Sequence, residues 1–165
     1  MQGCVALLPY VRICLKALRK KPFDFEPQTL GEQIKKRRLE LGLSQKQAGE
    51  ILKVTAFTVL NWEKCRTEPP IVSIPALLQF LGYDPFPEPR TVSERLLALR
   101  RSKGWSLRNA AQEFGVDEGT WRDWEYGKTI LHRRHRELIA KLFGLSLQEV
   151  NRQMGAQWMQ SHQKK

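Results

Sequence analysis

Sliding the chain along itself by 62 residues, the separation of Gly42 and Gly104, aligns two stretches in one register without a gap. Glu32 meets Glu94, Arg38 meets Arg100, Ser44 meets Ser106 and Ala48 meets Ala110. Val54 meets Val116, Thr58 meets Thr120, Trp62-Glu63 meets Trp124-Glu125, and Gly82 meets Gly144. Apolar character is kept at Ile34/Leu96, Leu52/Phe114, Val59/Trp121, Leu77/Ile139 and Leu81/Phe143. Two copies are too few for a solenoid, so the chain is expected to hold two copies of one small domain. The joint falls at residues 85–91, where Pro85, Pro87 and Pro89 exclude a helix and favour a stiff, extended connector.

Within one copy the punctuation is helical. Thr29 with Glu32 forms a capping-box pattern, and Leu30, Ile34, Arg38 and Leu41 share a face before Gly42 ends the helix. Ser44 caps a second helix with Ala48 and Ile51 facing inward, and Lys53-Val54 make a tight turn. Thr55 caps a third helix to about Lys64, burying Val59 and Trp62, and a fourth runs from Ile74 to Leu81. The second copy predicts helices from Val92 to Lys103, Leu107 to Glu113, Glu118 to Tyr126 and His135 to Phe143. A further helix over 146–159 follows, with Leu147, Val150, Met154 and Trp158 at three- and four-residue spacing. The expected fold class is all-α. The expected organisation is a basic N-terminal arm (1–28), a first domain (29–84), the Pro-rich linker (85–91), a second domain (92–150) and a C-terminal helix and tail (151–165).

Charge narrows the partner. The chain carries 28 Lys and Arg against 17 Asp and Glu, a net +11, which predicts a polyanion, most often nucleic acid. No apolar run approaches the ~20 residues that span a bilayer. The opening apolar run stops at Pro9 and is followed by Arg12, Lys16 and Arg19 to Lys21, so no cleaved leader is expected. Cys4, Cys14 and Cys65 form no CxxC unit and lie far from His132, His135 and His162, so no metal, no cofactor and reduced thiols are expected. There is no nucleophile–base pair and no phosphate-cradling glycine loop, so no catalytic residue is expected and the chain is not read as an enzyme.

The stretch from Arg38 to Ala48, followed by Val54-Thr-Ala-Phe-Thr-Val-Leu-Asn-Trp-Glu63, resembles the Cro/phage-repressor (xenobiotic response element) helix-turn-helix superfamily. Gly104 to Ala111 with Val116 to Gly127 resembles it again. The resemblance implies two tandem lambda-repressor-like helix-turn-helix domains of four to five short helices each, in a cytoplasmic, bacterial type of transcriptional regulator. It implies double-stranded DNA as partner, read by the third helix in the major groove. Base-reading positions by resemblance are Thr55, Ala56, Phe57 and Asn61. Asn pairs bidentately with adenine, and Ala56 and Phe57 offer apolar contact to thymine methyls. Phe57 tucked against its own domain is the alternative. Gln45, Lys46, Thr58, Lys64 and Arg66 are the matching phosphate contacts.

The second copy departs from the family. Leu107 stands where Gln45 stands in the first, and Asp117, Glu118, Gly119 and Asp123 occupy the base-reading positions. Arg108, Thr120, Arg122, Lys128, Arg133 and Arg134 are its candidate phosphate contacts. Carboxylates facing phosphates cost affinity, so two readings stay open: a second DNA reader, or a degenerate copy used for packing or dimerisation. Because the copies differ at reading positions, the expected target is non-palindromic. The competing function is a protein-interaction module, such as an antitoxin or a mobile-element accessory factor. In it the second copy or the C-terminal helix holds a second protein or a second chain. Two readings are also open for the arm: a minor-groove contact, or a disordered leader or extended strand-like segment packed on the domain. Cys65, where the family has Gly, is expected to strain a left-handed position and shift the loop.

Overall fold

The computed structural model describes residues 25–162. Most of the basic arm and the tail Gln163–Lys165 lie outside the described residues, as does the side chain of Trp158. Among the described residues every regular element is a helix, with no strand. In the first half α1 spans Leu30–Glu40, α2 Gln45–Leu52, α3 Ala56–Glu63 and α4 Ile74–Leu81, the last preceded by a 3-10 turn at Ile71–Ser73. In the second, α5 spans Val92–Lys103, α6 Leu107–Phe114, α7 Glu118–Glu125, α8 Arg133–Phe143 and α9 Leu147–His162.

At α1, α2, α3, α5, α6 and α7 side-chain caps set the start by satisfying amide groups that the first helical turn leaves without partners. Thr29 and Ser44 each form a reciprocal capping box, with Glu32 and Gln47. Thr55 Oγ1 accepts from the Thr58 amide at 3.1 Å. Thr91 with Glu94 repeats the first box at the start of α5, and Ser106 and Asp117 cap α6 and α7.

Two hydrophobic clusters form, one in each half. Ile34, Ala48, Leu52, Val59, Trp62, Ile74, Leu77, Phe80 and Leu81 make the first. Val92, Leu96, Ala110, Ala111, Trp121, Trp124, Leu131, Ile139, Ala140, Val150 and Met154 make the second, so the start of α9 docks on its own half. In the first half α3 lies hard against α2. A Cβ on Gly49 would sit 2.6 Å from the Val54 carbonyl oxygen, which accounts for glycine at that crossing.

Four local expectations need correction. Ile51 is 52% exposed, because Ala48, Gly49 and Leu52 form the inward face of α2 and Ile51 falls outside it. Leu41 is exposed because α1 ends one residue earlier and Leu41 is its C-cap. α8 starts at Arg133 rather than His135. Basic residues in a first turn oppose the helix dipole, but His132 takes an extended backbone and its carbonyl accepts the His135 and Arg136 amides. The His135 ring packs 5.0 Å from Trp124 and draws that turn onto the core. The loop at Cys65 is not shifted: Cys65 holds φ 52° and Gly127, its counterpart, φ 64°. The Arg66 amide bonds the Asn61 carbonyl at 2.9 Å, as the Lys128 amide bonds that of Asp123.

Candidate nucleic-acid interface

A helix can present side chains to a partner only if its other face is held firmly. The buried face of α3 is held by Val59 and Trp62 in the core and by an ion pair at its last residue. Arg38 Nε donates to Glu63 Oε1 at 2.5 Å and Arg38 Nη2 to Oε2 at 3.0 Å. Arg38 Nη1 donates to the Leu43 carbonyl at 2.9 Å, so one guanidinium joins α1, the turn before α2 and the end of α3. Bidentate pairing of this kind fixes geometry as well as charge. Gln45 joins the same network, donating to Glu63 Oε2 at 2.9 Å. Its amide, expected on a phosphate, is thus also a brace between α2 and α3.

The exposed face of α3 carries the residues expected to read bases. Phe57 is 66% exposed and does not fold back onto its own half. Asn61, one turn on, is half-buried, as are Ala56 and Thr58. Thr55 and Thr58 come together, their hydroxyls 2.9 Å apart, so the cap also orients the Thr58 hydroxyl. Lys46 on α2 and Lys64 and Arg66 beyond α3 are exposed.

In the second half Arg100 pairs with Glu125 at 2.5 and 2.8 Å, the same bracket between α5 and α7. Leu107 cannot supply an amide there. The Trp121 indole N–H donates to Glu125 Oε1 at 2.7 Å instead, from four residues back on the same helix, its fully buried ring tilted against Phe114. Asp117 sits where Thr55 sits in the first half, and both its oxygens serve the cap. Oδ1 accepts the Thr120 amide at 2.9 Å and Oδ2 the Thr120 hydroxyl at 2.5 Å. These bonds, the Thr120 hydroxyl first, hold its carboxyl below the usual range. Glu118 and Gly119 are exposed and Asp123 is half-buried. Arg108, Arg122 and Arg134 are exposed; Lys128 lies over the Tyr126 ring at 5.5 Å, and Arg133 pairs with Glu137 at 3.1 Å.

Sequence reasoning aligned Arg38 with Arg100 and Glu63 with Glu125 without pairing them. The signal was there: two opposite charges repeated together at one offset, at positions that a helix-turn-helix brings close. Among the described residues no group of three or more His, Cys, Asp or Glu could hold a metal ion. Among them, too, no helix is long and apolar enough to cross a membrane.

Residues 34–86 match the family model described as Helix-turn-helix, of the Cro/C1 type, and the match covers α2, α3 and α4 and most of α1. That family is one of DNA-binding domains. No curated protein and no solved structure matches the chain.

Proposed function

We propose that this chain binds double-stranded DNA sequence-specifically as a transcriptional regulator, with α3 and α7 as the reading helices of two tandem helix-turn-helix domains. The carrying observation is α3: its inner face is fixed by the core and the Arg38–Glu63 pair, while Phe57 and Asn61 stand on its outer face. The family match over residues 34–86 and the net charge of +11 support the same reading. Thr55, Ala56, Phe57 and Asn61 read bases in the first half, and Asp117, Glu118, Gly119 and Asp123 are their counterparts in the second. The domains are residues 29–84 and 92–150, joined by 85–91. The recurrence of the Arg–Glu bracket and of a capped third helix supports two copies of one design.

Selection from a random duplex pool tests the reading, followed by affinity at several salt concentrations on the enriched sequence. The expected result is an asymmetric motif with two parts and binding that weakens steeply with salt. An enriched palindrome would point to a dimer of chains, and no enrichment at all would overturn the reading.

A second reading, a protein-binding role for the second half, is favoured by one observation. Asp117 and Glu118 make the start of α7 acidic, and Leu138 and Leu142, one turn apart on α8, are 46% and 49% exposed. A stable co-purifying partner lost on substituting those leucines would support it.

A further inference from the structure

The two halves meet at a junction that the repeat does not duplicate. Gly42 and Gly104 are counterparts with nearly the same backbone, φ 66° and 65°. A Cβ on Gly42 would meet nothing within 4 Å. A Cβ on Gly104 would lie 2.9 Å from Pro75 Cγ and 3.2 Å from the Val72 carbonyl oxygen, so the end of α5 is seated on the 3-10 turn and the start of α4. Beside this seat, Phe86 of the linker packs against the first core, and its amide bonds Asp84 Oδ1 at 2.9 Å. The Arg101 guanidinium lies over the Phe86 ring, 4.2 Å from its centroid. A cation held over an aromatic face is a directional contact as well as an attractive one.

Arg101 is next in sequence to Arg100, whose guanidinium is bonded to Glu125, the last residue of α7. One turn of α5 therefore grips the first half through Arg101 and the reading helix of the second through Arg100. A cleft of about 750 Å³, lined by Leu78, Pro87, Pro89 and Leu97 together with Phe86 and Arg101, opens beside this contact. The linker prolines leave that space unfilled, and the Arg101–Phe86 and Gly104–Pro75 contacts bridge the halves at its edge.

The geometry points to Arg101, Phe86 and the Pro75–Gly104 seat as positioning residues that fix α7 relative to α3 and so select one spacing between the two DNA sites. This rests on the DNA-binding reading above. A joint already set pays no orientational entropy when the second site is engaged, and it raises the effective concentration of α7 only at the matching distance. Shifting one site by ~5 bp, about half a helical turn, moves it to the opposite face of the duplex.

The test uses the full chain and three variants, Arg101→Ala, Gly104→Ala and Gly42→Ala, with Arg101→Lys as the conservative replacement. Gly42→Ala carries the same left-handed strain as Gly104→Ala without the contact, so it separates strain from loss of the seat. The first readout needs no DNA: rotational correlation times of the two halves from backbone relaxation. Wild type and Gly42→Ala should tumble as one body, and Arg101→Ala and Gly104→Ala as two faster ones, with Arg101→Lys between. The second readout is affinity for duplexes in which the enriched motif is split by inserted base pairs. Wild type should lose roughly tenfold or more on a half-turn shift, and the two junction variants no more than about threefold. Independent tumbling in the wild type overturns the fixed joint whatever the DNA result. One-body tumbling with equal affinity at every spacing overturns its role in site selection. One-body tumbling with no duplex binding overturns the DNA-binding reading and the spacing role with it, and leaves the joint as architecture.

Discussion

Arg38 and Glu63, 25 residues apart, form a bidentate ion pair with side chains 11% and 3% exposed, and Arg100 and Glu125 repeat it at the same separation. In each half it joins the first helix to the third, and the third is the one proposed to read DNA. Removing one partner leaves a charge stranded in a nearly dry site. Glu63→Ala is therefore expected to destabilise the first half by about 3–5 kcal/mol. That is a large share of the ~5–15 kcal/mol that holds a small domain together. Denaturant titration followed at the Trp62 indole by NMR should show early loss of the first half, with Trp121 and Trp124 reporting a later transition. A single unchanged transition would show that the pair contributes little.

Asn61 and Phe57 test the reading face. Each is expected to leave the fold intact when replaced by alanine, because neither belongs to the buried core. Asn61→Ala should weaken binding to the enriched duplex by about 1–3 kcal/mol and relax preference at one base pair. Lys64→Ala should weaken binding to all sequences alike and lower the salt slope by about one. The reverse pattern, with Asn61 acting uniformly and Lys64 selectively, would move α3 out of the groove.

Acid should act on the second half through its caps. The Asp117 carboxyl is held low by the Thr120 hydroxyl and amide, and that of Glu94 by the Arg90 amide first, with Thr91 adding. Glu149 is held low first by Arg152 and then by Gln153. A carboxylate whose folded value is depressed contributes its stability above the ordinary carboxylate range. That contribution fades as pH falls through the depressed value. Trp121 and Trp124 fluorescence should therefore report progressive loss of the second half below the ordinary carboxylate range. Asp117→Asn keeps a capping oxygen but cannot titrate, so its acid limb should be flatter than that of the wild type. An identical limb would remove Asp117 from the account.

Cys65 gives a prediction with the opposite sign. Its φ of 52° is one that a side chain tolerates poorly, and its counterpart is Gly127. Cys65→Gly is expected to raise stability by about 0.5–1 kcal/mol in thermal or denaturant unfolding. Cys65→Ala should not, since it keeps the strain and loses the 3.1 Å contact between Sγ and Thr29 Oγ1. Stabilisation by alanine instead would locate the strain in the sulfur contact rather than in the backbone.

Local chemistry was legible in the sequence and long-range pairing was not. Thr29, Ser44 and Thr55 cap the helices expected of them, because a cap is decided within three residues. Asp117 also caps, as Thr55 does at the aligned position, with Thr120 three residues on. Ile51 is expected inward yet stands exposed, because an apolar residue in a short amphipathic helix allows more than one facing, and only the partner helix decides between them. The Arg–Glu brackets join residues separated by two turns of chain, and no periodicity within one helix displays them. The Gln45 brace from α2 to Glu63 is long-range and was equally hidden, whereas the Trp121 indole bonds Glu125 four residues on within α7 and leaves that interhelical brace without a counterpart. The prolines indicated a restricted linker, but the seat itself depends on Gly104 meeting Pro75, which the repeat conceals by pairing Gly104 with the open Gly42.

Each half of this chain encloses its own core, and both halves are written in one gene product. In a symmetric dimer of one-domain chains every substitution is felt twice, once at each copy of the target. Within this chain a substitution falls in one half only. Under the proposed function a change at Asn61 leaves Asp123 as it was, so the two surfaces are free to drift separately and one can take up a new partner while the other keeps the old.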